Sequence, residues 1–362
     1  MPPCPPALSR RHLLASSLWP LLSVPLQAAP VARQELQFPR DLGAHPEFAI
    51  EWWYLTGALS LARSPQEALF GFQLTFFRSR VTATQNMASA FAAKQLIFAH
   101  AAVTDLQGQT MLHDQRIARE GFGIAQTSQI DTDVKLRNWS LQHSATDYAA
   151  TAMADGFDFQ LRLRETQPLL LQGENGLSRK GPQAEQMSYY YSLPQLLAQG
   201  TLRIGKQQHE VSGNAWLDHE WSNSLLPAQA VGWDWIGMNL LDGSALTAFR
   251  LRDKDGNALW AGGSLRRSGS AVRNFNASEV KFQPQRRWTS ALTHANYPVQ
   301  WLLQTPGASY VVKALLDNQE LDSRASTGAV YWEGLSELFD EQGKLLGRGY
   351  LEMTGYASPL RL

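Results

Sequence analysis

The chain has 362 residues, of which 44% are hydrophobic and 18% charged, and its 32 basic residues balance its 32 acidic ones. That length suits two ordinary domains or one large all-β unit with a sizeable core. A neutral chain without a basic, aromatic-interleaved stripe lacks the electrostatic footprint of a nucleic-acid binder or of a protein held to an anionic membrane surface.

The N-terminus reads as an export segment, residues 1–32. Arg10 and Arg11 precede a moderately apolar run to about Leu26, and small residues follow at Ala28, Ala29 and Ala32. Paired arginines before such a run match a twin-arginine signal, with cleavage expected after one of those alanines. Pro20 and Pro25 break the run, and it is too short to span a bilayer as a stable helix. The expectation is a periplasmic or secreted product with no transmembrane span in the mature chain. The only cysteine, Cys4, lies before the run, so the mature chain has no disulfide, thiolate nucleophile or cysteine metal ligand.

From residue 50 onward, period-two patterns dominate. Phe70, Phe72, Leu74 and Phe76 alternate with polar residues, as do Phe157, Phe159, Leu161 and Leu163; 310–316 and 345–353 read similarly. Each pattern predicts a half-buried strand. Asp242-Gly243 and Asp255-Gly256-Asn257 supply hairpin turns, and Gln107-Gly108 and Gln342-Gly343 fit longer loops. Weak helical patterns occur at Ser192–Leu197 and at Ala83–Lys94, the latter fitting a loop or short helix at an opening. Strand pattern lapses over 171–185 and again over 222–230, which contains Pro227. The second lapse is the expected boundary between domains spanning 33–222 and 223–362. Many short strands joined by hairpin turns indicate an all-β barrel or sandwich architecture.

Three segments carry the candidate chemistry. In Trp216-Leu217-Asp218-His219-Glu220-Trp221, strand alternation puts Trp216, Asp218 and Glu220 on one face and Leu217, His219 and Trp221 on the other. A carboxyl near indole rings loses hydration, which raises its pKa and makes it a usable proton donor. The plainer reading leaves both carboxylates solvated and His219 a hydrogen-bonded core residue. In Glu51-Trp52-Trp53-Tyr54, Glu51 and Trp53 share a face, with Trp52 and Tyr54 opposite; Trp233 and Trp235 share a face, with Asp234 opposite. Indoles facing one cavity suit an extended apolar ligand and stabilise a carbocation through their π faces. For any single one of the 12 tryptophans, core filling is the plainer account. Adjacent strand residues cannot all reach one ion and no HxH or HExxH spacing is present, so no metal is expected, although His45 or His100 could join from afar. No G-x-S-x-G elbow marks a serine hydrolase.

The chain resembles the AttH-like, carotenoid 1,2-hydratase (hydroxyneurosporene synthase-like) family over roughly 38–362. The resemblance rests on FPRDLGAHPEF (38–48) with EWWYLTG (51–57), FAHAAVTD (98–105), SYYYSLPQL (188–196) and AWLDHEWS (215–222). It implies two lipocalin- or calycin-like antiparallel β-barrel domains, with a pocket in the first or between the two, and no cofactor. Members hydrate isolated double bonds of carotenoid precursors, and related lipocalin-like proteins catalyse cyclisations. Others are described as secreted hydrolases or as ABC-transporter-associated. The resemblance implies Asp218, His219 and Glu220 as catalytic residues, with Asp218 protonating an alkene and His219 or Glu220 accepting a proton from water. Trp52, Trp53, Tyr54, His100, Tyr190, Trp216, Trp221, Trp233 and Trp235 form the expected binding set. The expected partner is a small isoprenoid- or lipid-like molecule, hydrated or isomerised. The alternatives are a lipophile carrier serving an ABC transporter and a secreted hydrolase.

Overall fold

The computed structural model describes residues 34–64, 69–183, 185–224 and 226–360; the expected export segment lies outside them. Within these residues the alternating patterns become strands. Thirteen strands between Ile50 and Ser222 form one antiparallel sheet that winds nearly closed on itself. Its middle runs Gln95–Asp105, Phe70–Arg80, Ile50–Leu61, Gln207–Ser222, Met187–Ile204, Phe157–Arg164. A second sheet of ten strands, with its middle at Ala245–Arg252, Gly232–Leu240, Leu345–Met353 and Ala329–Phe339, forms the second barrel. The chain is thus all-β, with two lipocalin-like barrels.

Each barrel fills its interior with the inward half of the alternation. Trp53, Leu55, Phe72, Phe159 and Leu217 are buried in the first, and Trp301, Trp332 and Leu351 in the second. Full burial of each aliphatic or Phe side chain contributes about 1.5–3 kcal/mol. The hairpin glycines Gly243 and Gly256 take φ of 82° and 83°, a conformation that side chains with a Cβ resist.

Among the described residues, the helical turns are two three-residue 3₁₀ segments, Arg40–Leu42 and Thr82–Thr84. The second lies in the Ala83–Lys94 region, which otherwise forms a loop. The helical expectation at Ser192–Leu197 is overturned: this stretch belongs to the long strand Met187–Ile204. Pro194 cannot donate to a helix or a ladder. The strand instead bulges, slipping register between Leu193 and Leu196, with Gln195 at φ 57°. The second barrel holds this bulge, because the Gln195 backbone N–H donates to Asn239 Oδ1 and its side-chain amide donates to the Leu240 and Ser244 carbonyls.

The barrels meet face to face. Tyr54 and Trp216 of the first pack with Trp235, Phe249, Leu335 and Tyr350 of the second. Gly71 permits the approach, since a Cβ there would lie 2.6 Å from the Tyr350 hydroxyl and 3.0 Å from Leu335 Cβ. Buried hydrogen bonds cross the contact. Gln73 donates to Glu333 at 2.8 Å, and Thr104 donates to Gln319 at 2.9 Å.

Candidate active site

A cavity of about 950 Å³ lies between the barrels. Five strands of the first barrel's middle wall one side, and the strands carrying Trp233, Phe249, Glu333 and Glu352 wall the other. Strand alternation explains who faces it. Asp218 and Glu220 point out of the first barrel into the cavity, as do Trp52 and Tyr54 on the neighbouring strand, where they pair with Glu220 and Asp218. The second barrel supplies Trp233 and Trp235, two residues apart on one face. His100 and Tyr190 complete the sequence-expected residues that line it.

Asp218 is only 4% exposed. Three neighbours donate to it: Tyr190 OH to Oδ2 at 2.8 Å, and Ser192 Oγ and Trp216 Nε1 to Oδ1 at 2.5 and 2.6 Å. Trp216 therefore serves the site from behind rather than lining it. These donors favour the carboxylate, yet burial outweighs them and, helped by the nearby Glu220 charge, pushes Asp218 up to about 7. Behind Tyr190, Trp235 Nε1 donates to the phenol oxygen at 3.2 Å.

Glu220 has a different environment. The Lys180 ammonium pairs with its Oε1 at 2.9 Å, and Ser188 donates to the same oxygen. Lys180 also sits over the rings of Tyr190 and Phe249, at 4.7 and 4.6 Å. At the other end His100 bonds Tyr331 OH through Nδ1 at 2.8 Å and Ser326 Oγ through Nε2 at 2.9 Å. Burial lowers the His100 pKa to about 3, so its imidazole is neutral near pH 7.

Sequence reasoning missed two further carboxyls, Glu333 and Glu352. They are Cα partners on adjacent strands of the second barrel and both line the cavity. Burial and the charge of Glu352 raise Glu333 well above the usual carboxylate range. Burial, with Asp218 and Glu220 nearby, raises Glu352 to about 7. The signal was available: each is the lone acid in an apolar stretch, two residues from a tyrosine (Tyr331, Tyr350).

His219, Trp53 and Trp221 lie on the opposite face, away from the cavity. His219 Nε2 meets Glu51 Oε1 at 2.9 Å, Tyr191 OH meets its Nδ1 at 2.9 Å, and Trp53 stacks on its ring at 4.7 Å. His45 Nδ1 meets the same Glu51 oxygen at 2.8 Å and stacks on Trp221 at 3.7 Å. One ligand atom from each of His45, Glu51 and His219 lies within 4.8 Å of the others, a spacing an ion could use. The contacts fit a hydrogen-bonded charge network better. Both imidazoles share one carboxylate oxygen, and the Arg78 guanidinium occupies the other at 2.7 Å. A cation already neutralises the carboxylate that an ion would need.

Comparison with known proteins bears on the whole chain. A family model described as AttH-like matches residues 29–356. A crystal structure of a protein described as an AttH from Nitrosomonas europaea is 46% identical, with a TM-score of 0.83, covering 91% of this chain and 99% of that one. Kievitone hydratase from Nectria haematococca shares the fold at 14% identity, with a TM-score of 0.68, over 90% of this chain and 94% of its own. No curated protein sequence matches.

Proposed function

This chain belongs to the AttH-like family, and from that membership we propose that its interdomain cavity hydrates or isomerises a lipophilic small molecule by acid–base catalysis. The observation that carries the reading is Asp218: a carboxyl in an aromatic-walled cavity, oriented by three donors and held near 7 by burial. Such a group keeps a proton to give at neutral pH.

The chemistry follows from the strand. Asp218 and Glu220 are two residues apart on one face, about 7 Å along the chain, which leaves room for a substrate carbon and a water. The alkene electron pair takes the Asp218 proton and forms a C–H bond. The cation left on the neighbouring carbon is stabilised by the faces of Trp52 and Trp235. A water lone pair closes the C–O bond, and Glu220 accepts the released proton. Solvent exchange returns Asp218 to its acid form. Loss of a different proton from the cation, in place of water addition, isomerises the double bond.

The test begins with mass spectrometry of whatever co-purifies, followed by turnover of that molecule in heavy-oxygen water. Hydration should incorporate the label and isomerisation should shift the double bond without it, and either rate should fall as pH rises through about 7, where Asp218 loses its proton. Asp218→Asn should lose at least about 100-fold in kcat while still binding. A carrier that hands a lipophile to an ABC transporter is the second reading, favoured by the size and aromatic lining of the cavity. It predicts that ligand leaves the wild type unchanged and that Asp218→Asn transfers it equally well. Export to the periplasm through the Arg10-Arg11 segment belongs to the same proposal. Replacing both arginines by lysine should leave the protein in the cytoplasm, as fractionation would show.

A further inference from the structure

We propose that the cavity's ligand carries a protonated nitrogen, and that Glu333 and Glu352 are the residues that bind it. The proposal rests on the reading of the interdomain cavity as the ligand site and adds the charge of its occupant.

The two carboxyls face the cavity side by side on paired strands. Their neighbours are the wrong sign for anions. The Glu352 charge bears on Glu333, and those of Asp218 and Glu220 bear on Glu352. Glu333 accepts from Gln73 at Oε2, and the Tyr54 and Tyr331 hydroxyls lie close enough to favour its charge, but its Oε1 has no partner in hydrogen-bond geometry although the residue is 2% exposed. Glu352 accepts from Trp233 Nε1 at 3.0 Å. Glu333 is buried and Glu352 half-buried, and two adjacent carboxyls so placed resist ionising together without a cation. The pair therefore holds a proton until a cation replaces it.

The surroundings suit that cation. Trp233 and Trp235 share the cavity face, with Tyr54 and Tyr331 nearby, and aromatic faces attract ammonium groups. The same cavity already displays this recognition with the protein's own ammonium, because Lys180 pairs with Glu220 over the rings of Tyr190 and Phe249. The second barrel repeats the set of carboxyls and rings without the ammonium. An anionic ligand would meet Asp218, Glu220, Glu333 and Glu352 in a cavity whose cations Lys180 and Arg78 are already paired with Glu220 and Glu51, with Arg80 also on the wall. A neutral one would leave the pair as it is.

Calorimetric titration of the whole protein with decylammonium, decanol and decanoate decides the matter. Near neutral pH, decylammonium should bind at least about tenfold more tightly than decanol, and decanoate most weakly. Binding should release protons, seen as a heat that depends on the buffer's ionisation enthalpy. Decylammonium affinity should fall toward about pH 5, where carboxyls hold their protons more firmly. The titratable groups bearing on the pair are Asp218, Glu220, Tyr54, Tyr331 and Tyr350, with Lys180 held at Glu220 and His100 behind Tyr331. Glu333→Gln with Glu352→Gln should bring decylammonium down to the decanol level and leave decanol unchanged. Equal binding of decanol and decylammonium, tighter binding of decanoate, or a preference that survives the double substitution would each overturn the proposal. Should that variant not fold, the wild-type ranking and proton release still decide. Turnover that persists in Asp218→Asn defeats the hydration reading without touching this ranking, and a failed ranking leaves the turnover test intact.

Discussion

Asp218 sits where a carboxylate is costly. Its usual value of 3.8 rises to about 7 in the fold, so between these pH values the folded chain holds a proton that the unfolded chain has lost. Stability therefore declines as pH rises through that window, by up to about 4 kcal/mol for the full shift. Asp218→Asn should raise stability to urea at pH 8 and leave it unchanged below about pH 4. A variant no more stable than wild type at pH 8 would show that the donors, not burial, set this group. The Asp218 and Glu220 face was legible in the sequence because strand alternation is strict over six residues. Their burial was not legible, because a polar strand face looks the same whether it meets water or a second barrel. Glu333 and Glu352 went unread for the same reason, since isolated acids on a strand usually face solvent.

At the scale of the element, the strands Ile50–Leu61 and Gln207–Ser222 do two jobs with their two faces. One face presents Trp52, Tyr54, Asp218 and Glu220 to the cavity. The other buries Glu51 against His45, His219 and Arg78, which ties the segment around Arg40–Leu42 to the barrel. Burial opposes the Glu51 charge, but the bonds from His219 and His45 more than offset it and hold the carboxyl well below its usual range. This carboxylate contributes stability above about pH 4.5, lost only on strong acidification. Glu51→Gln leaves the buried Arg78 charge without its counter-ion, though still bonded to Gln95 and to the His45 and Phe48 carbonyls, and should cost about 3–5 kcal/mol, measured by urea unfolding at neutral pH. The Met187–Ile204 strand shows where local reading failed. Ser192–Leu197 reads as a weak helical pattern, but a bulge at Pro194 and Gln195 keeps it in the strand and the second barrel supplies the hydrogen bonds that the ladder loses there.

For the whole molecule, function depends on the approach of the barrels, because each carries half of the cavity wall. Gly71→Val would drive a branched side chain into Tyr350 and Leu335. Overpacking of this kind should cost about 1–3 kcal/mol. It should also uncouple the barrels, so that thermal unfolding proceeds in two steps and decylammonium binding is lost; one cooperative transition at the wild-type temperature would refute the dependence. By itself, the sequence determined the all-β class, the hairpins and which side chains share a strand face, because these follow from period-two alternation and turn chemistry between near neighbours. Only the tertiary structure decided that the Asp218 face is buried against a second barrel, that His219 belongs to a charge network with Glu51 and Arg78, and that Glu333 and Glu352 complete the cavity. Several of those relations join distant residues, Glu51 with His219 across 168 positions and Gln73 with Glu333 across 260, and nothing in local patterning specifies which distant face will cover a given strand.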